Sequence, residues 1–118
     1  NNIDTKLPLV ADYNSVPINV SIKAVSNESG TVDFYAPVFA GKKYRFATPV
    51  QDYKYSFAKS IEELKNVKPV FSCNCILNYL YGKLDGKATP PFAGPVTFGE
   101  IAYQLLNQTL VYVEIVDK

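Results

Sequence analysis

A chain of 118 residues, 47% of them apolar and with a net charge of +1, can bury one hydrophobic core and reads as a single domain over 1–118. Its 12 basic residues are scattered and include one arginine, Arg45, so neither a nucleic-acid footprint nor a set of bidentate phosphate forks is present. Histidine is absent, which removes Ser-His and Cys-His nucleophile pairs and the commonest transition-metal ligand; hydrolase readings weaken sharply, and neither a metal nor a cofactor is expected.

In chain order, residues 1–16 mix apolar positions with Pro8 and read as an irregular lead-in or an edge strand, running into Pro17. From Ile18 the pattern alternates, with Ile18, Val20, Ile22 and Ala24 on one face and Asn19, Ser21 and Lys23 on the other, as in a half-buried strand. SNESG, Ser26 to Gly30, predicts a turn, and TVDFYAPVF returns as the second strand of a hairpin. AGKK, Ala40 to Lys43, is a second turn before YRFA, in which Tyr44 and Phe46 share a face. TPVQ, Thr48 to Gln51, combines a capping-box Thr and Gln with Pro49 at the first helical position, so a helix is expected from there to about Lys65. Val50, Tyr53, Phe57, Ile61 and Leu64 recur along its apolar side.

After Pro69, VFSCN predicts a short buried central strand, and Asn74 caps a helix, CILNYLYG, stopped by a left-handed Gly82. The Gly- and Pro-dense segment Lys83 to Pro95 is a loop. Two extended runs follow, Val96 to Tyr103 and Leu110 to Val116, with LLNQT turning between them. The class implied is α+β, an antiparallel or mixed sheet of about five to six strands packed with one longer and one short helix. No apolar run reaches the about 18 residues of a membrane span and no basic-then-apolar leader precedes the domain, so a soluble protein without a membrane partner is expected. The lack of Met and the Asn1-Asn2 start fit a domain excised from a longer chain.

Reactive side chains concentrate in SCNC, Ser72 to Cys75. A bond between thiols one residue apart would be strained, and two cysteines make no disulfide framework, which favours a reducing, cytoplasmic setting. Two thiolates cannot complete a zinc site, and no phosphate-cradling glycine motif occurs. Cys73 and Cys75 at a strand-to-helix junction read either as a thiol-dependent redox pair or as small buried core residues. The nine tyrosines read as a stacking surface or, more simply, as rim residues that keep their hydroxyls wet. The pair Gly99-Glu100 interrupts a strand-forming run. Its simple reading is an exposed strand carboxylate, alone or paired with a lysine; its functional reading is a carboxylate at a pocket mouth beside a glycine that admits a ligand.

From about Thr31 to Ile115 the order of these signals resembles the C-terminal domain of the FIST family of sensory proteins, named for F-box and intracellular signal transduction. The resemblance rests on FAGKKYRFA, TPVQDY, FSC at Phe71 to Cys73, GEI at Gly99 to Ile101, and LNQTLVYVEI. It implies a bacterial, cytoplasmic, non-catalytic input domain that binds a small molecule, such as an amino acid or derivative, next to a FIST N-terminal domain or a signalling domain. The ligand residues it implies are Cys73, Gly99 and Glu100; the arginine that commonly follows the family's cysteine is missing from NCILN, where Asn74 or Cys75 stands instead. If FSC and FGEIA are neighbouring strands, Cys73, Asn74 and Glu100 meet at one end of the sheet, with Gly99 admitting the ligand and the loop Lys83 to Pro95 as a lid. The rivals are the redox module on Cys73 and Cys75 and a protein–protein interaction domain that docks through a sheet edge or its tyrosines.

Overall fold

The computed structural model describes residues 3–101 and 104–117. Among these, ten strands and two helices follow one another as β1 (Leu9–Tyr13), β2 (Val16–Val20), β3 (Ile22–Ser26), β4 (Thr31–Phe34), β5 (Tyr44–Phe46), α1 (Tyr53–Glu63), β6 (Pro69–Cys75), α2 (Ile76–Tyr81), β7 (Val96–Thr97), β8 (Glu100–Ile101), β9 (Gln104–Leu105) and β10 (Leu110–Glu114). The class is α+β with one longer helix, as expected. The strands are divided among small sheets, β2-β1-β5, β10-β6-β7, β3-β4 and β8-β9, in place of one continuous sheet.

The lead-in is more ordered than its sequence suggests. Leu9 to Tyr13 is the central strand of the first sheet, antiparallel to β2 on one side and β5 on the other. Asn14 and Ser15, at φ 56 and 70, make a two-residue hairpin turn whose twist suits the flanking strands. Asn-Ser is a weaker written signal for that turn than Asn-Gly. Pro17 falls on β2, which pairs on one side only, where a missing N–H is tolerated.

The long alternating run from Ile18 bends at Ser21 and passes from the first sheet into the β3-β4 hairpin. Ser21, expected on the outer face, is fully buried there. Its N–H donates to Asn107 Oδ1 at 3.0 Å and its carbonyl accepts from the Tyr35 N–H at 2.9 Å. A strand that changes sheets has no constant outer face, so Val20, Ser21 and Ile22 are buried in succession. The hairpin beyond it pairs Ile22 with Phe34 through Ser26 with Thr31, as the SNESG turn predicts.

Helix α1 starts later than TPVQ indicates. Asp52 is its N-cap, accepting from the Tyr55 N–H at 3.0 Å, and Thr48 to Gln51 are not helical. A carboxylate facing the open N–H groups of a first turn, with the helix dipole behind them, outweighs a threonine hydroxyl four residues upstream. The helix buries no residue fully; Tyr53, Phe57, Ile61 and Leu64 are half-buried. No helix among the described residues is long and apolar enough to cross a membrane.

Strand β6 is central in its sheet, antiparallel to β10 and parallel to β7. The two-residue period of a strand places Ser72 and Asn74 on one face and Cys73 and Cys75 on the other. The N-cap of α2 is Cys75 through its backbone, not Asn74, whose side chain is engaged elsewhere. Gly82 closes α2 in a right-handed conformation, and the left-handed residue is Lys83 at φ 53.

The run Val96 to Tyr103 is not one strand. Val96 and Thr97 pair with β6, the chain then breaks at Phe98-Gly99, and Glu100-Ile101 folds against β9; Tyr103 lies outside the described residues. Gly99 sits at φ +110, which L side chains rarely adopt, and a Cβ there would lie 3.0 Å from Asn107 Nδ2. The glycine is thus required by the chain's own turn, closed by the Leu106 N–H donating to its carbonyl at 2.7 Å.

Candidate functional site

Loops dense in proline and glycine lose little conformational entropy on folding at Pro and permit close approach at Gly, and the segment Lys83 to Pro95 uses both. Gly94 lies directly on β6, where a Cβ would fall 1.5 Å from the Ser72 carbonyl oxygen. The Asn74 N–H then donates to the Pro95 carbonyl at 3.0 Å and hands the chain to β7. Upstream, Thr89 and Phe92 form a tight turn: the Phe92 N–H donates to the Thr89 carbonyl at 2.8 Å, and Thr89 Oγ1 donates to the Phe92 carbonyl at 3.0 Å. Phe92 is buried, with its ring 5.2 Å from that of Tyr112 on β10.

Between this loop and the Ser72/Asn74 face of β6 lies a half-open cleft of about 320 Å³. Leu84, Phe92, Val96 and Leu110 give it apolar walls; Ser72, Asn74 and Lys87 give it polar groups. Its volume falls at the lower end of the roughly 300–1,000 Å³ usual for small-molecule sites.

Asn74 is 9% exposed, and its orientation is fixed by a hydrogen-bonded chain. Tyr53 of α1 donates its hydroxyl to Asn78 Oδ1 at 2.6 Å, and Asn78 Nδ2 donates to Asn74 Oδ1 at 2.8 Å. With its oxygen so occupied, Asn74 offers its NH2 group, which has no hydrogen-bond acceptor among the described residues, as a donor beside the cleft. That NH2 is open to the cleft and not sealed in the core, so a ligand acceptor can meet it.

Of the four residues expected to meet a ligand, Asn74 alone lines this cleft. Cys73 is on the opposite face of β6, its Sγ 3.9 Å from Thr97 Oγ1, and the same hydroxyl accepts the Gly99 N–H at 3.2 Å. Cys73 and Gly99 therefore meet through Thr97 behind the sheet. Glu100 is exposed on β8, opposite Leu105. The thiols are unbridged and buried, Cys73 at 5% exposure and Cys75 at 0%. Sequence reasoning did not connect Tyr53 and Asn78 to the site; Tyr53 reads as one more apolar position of α1, and Asn78 as a helix residue without a partner.

Burial, and next to it the neighbouring Cys75 and Tyr81, push the Tyr53 phenol well above its ordinary value. The folded state thus holds this proton more tightly than the unfolded chain, whose tyrosines ionise near pH 10. Its contribution is complete below about pH 10 and is lost as pH rises from there through the folded value. Tyr53→Phe should lower stability by about 1 kcal/mol at pH 7 through the lost bond to Asn78, and should reduce the fall in melting temperature above pH 10. Thermal unfolding from pH 8 to 11.5 checks both; an unchanged alkaline slope would show that other groups account for it.

A family model matches residues 1–116, and the chain belongs to the Family of unknown function (DUF6976). No curated protein and no solved structure matches it. This corrects the FIST resemblance, since no FIST domain is detected. The motifs that suggested it are short, and here they serve local geometry: Gly99 of GEI breaks a strand, and GEI lies in the β8-β9 pair, not beside FSC in the sheet of β6. The neighbouring FIST domain implied by that resemblance falls with it.

Proposed function

We propose that this chain is a non-catalytic binding module for a small organic molecule, held in the cleft between β6 and the loop Lys83 to Pro95. The ligand class that suits the cleft is a carboxylate or carbonyl on a compact apolar body. The acceptor oxygen would take the Asn74 NH2, and Lys87, from the loop across the cleft, would favour an anion. The apolar part would lie against Leu84, Phe92, Val96 and Leu110. The observation that carries this reading is Asn74 itself, a nine-tenths buried amide whose oxygen is held by Asn78 and whose donor is left beside an otherwise largely apolar cleft.

A thermal-shift titration with phenylacetate, leucine and phenylalanine, on wild type and Asn74→Asp, tests the proposal. Asp keeps the oxygen that accepts from Asn78 and replaces the donor with a second acceptor. At least one of these probes should raise the melting temperature saturably in wild type; at a hundredfold excess over Kd the stabilisation is about 2.7 kcal/mol. The variant should need at least about tenfold more ligand for the same shift. Equal shifts in both proteins, or none with any probe, would refute the assignment.

A further inference from the structure

A folded monomer of this size exposes about 6,400 Å². This chain exposes 8606 Å², about a third more than that scaling gives. Its radius of gyration, 15.4 Å, likewise exceeds the about 13.5 Å of a typical domain of its length. The excess of about 2,200 Å² per chain corresponds, for two copies, to an area within the roughly 2,000–5,000 Å² buried by obligate homodimers.

Part of this surface is concentrated at the outer end of the β6–β10 pair. Val70, Phe71, Val113, Ile115 and Val116 are 62%, 54%, 52%, 73% and 75% exposed. Phe71 stands opposite Val113 in the ladder, so these two share a face. Strand β10 is the edge of its sheet, and its sequence, LVYVE, contains neither lysine nor proline, the usual guards of an open edge. The carboxylate of Glu114 accepts from the Lys68 N–H at 3.2 Å, and the patch has no cluster of one sign that would select a charged partner.

From these observations we infer that the partner is a second copy of this chain, joined through the outer half of β10 in antiparallel pairing about a two-fold axis. Two copies of one apolar edge are complementary to each other under such an axis, which closes the assembly at a dimer. The pairing satisfies the open backbone groups of both edges and covers Val113, Ile115 and Val116. The two-fold stands perpendicular to the joined sheet, so both clefts open on the same side of it.

Sedimentation equilibrium of the full chain over a concentration series, at wild type, Val113→Lys, Ile115→Lys and Tyr55→Lys, tests the inference. Ile115 lies beyond the strand and Tyr55 is an exposed aromatic on α1, 69% exposed, so neither substitution touches the core. Wild type and Tyr55→Lys should sediment as dimers, while Val113→Lys and Ile115→Lys should dissociate with a dimer Kd raised at least about tenfold. A monomeric wild type, or a dimer that Ile115→Lys leaves unchanged, would overturn it, the first outcome pointing to an extended segment of another protein as the strand's partner.

Discussion

Replacing Gly94 by alanine should destabilise the protein by more than about 3 kcal/mol, in the range of severe core substitutions. The added methyl would fall 1.5 Å from the Ser72 carbonyl oxygen and 2.4 Å from its carbon, which are backbone atoms of a central strand and have nowhere to go. Either β6 bends or the loop lifts, and lifting costs the bond from the Asn74 N–H to Pro95 and the seat of Phe92 against Tyr112. Gly86→Ala is the control. There φ is +65 but no atom lies within 4 Å of the new carbon, so only the cost of the left-handed backbone applies, about 1–2 kcal/mol. Urea unfolding of the two variants separates contact from conformation; equal losses would mean that Gly94 is not the point at which the loop is pinned.

The second large effect is expected at Asn107, which is 1% exposed and joins segments far apart in the chain. Its Oδ1 accepts from the Ser21 N–H at 3.0 Å and its N–H donates to the Asn19 carbonyl at 3.3 Å. Its carbonyl accepts from Thr109 Oγ1 at 2.8 Å. Asn107→Ala removes the side-chain acceptor, leaves a buried backbone N–H without a partner at the corner where β2 becomes β3, and opens space beneath Gly99. The expected loss is about 2–3 kcal/mol, read from the urea midpoint. Asn107→Asp keeps the acceptor but buries a charge, so its loss should shrink as pH falls toward 4 and the carboxyl takes up a proton. A loss below about 0.5 kcal/mol for Asn107→Ala would show that the corner holds without this residue.

What the sequence disclosed and what it concealed divide along a physical line. Local chemistry was legible: the SNESG hairpin, the central position of FSC, the amphipathic stripe of α1 and the loop from Lys83 to Pro95 all follow from nearest-neighbour preferences. Choices between competing local options were not. In sequence the cap reads as Thr48, and only the folded chain shows that the Asp52 carboxylate meets the Tyr55 N–H. Ser21 keeps the strand alternation in sequence but is buried because the strand changes sheets, held there by a residue 86 positions away.

The site was half legible for the same reason. Asn74 stands within SCNC, and the loop that faces it reads in sequence as a lid. Gly99 and Glu100 read as part of the same place because a glycine inside a strand-like run fits a ligand gap and a turn equally. The turn is what the backbone at φ +110 displays, with the Asn107 side chain against the position a Cβ would take. The chain from Tyr53 through Asn78 to Asn74 spans a helix, a helix and a strand, and no periodicity encodes it.

Whether the cleft over Asn74 receives a small ligand is decided by titrating the isotope-labelled chain with phenylacetate and following 15N–1H correlation spectra that resolve side-chain amides. Saturable shifts of the Asn74 NH2 pair and of the backbone amides of Leu84, Phe92 and Val96 are expected, with Gly99 and Glu100 left in place. Shifts confined to Gly99 and Glu100, or no saturable shift at the Asn74 side chain, would refute binding there.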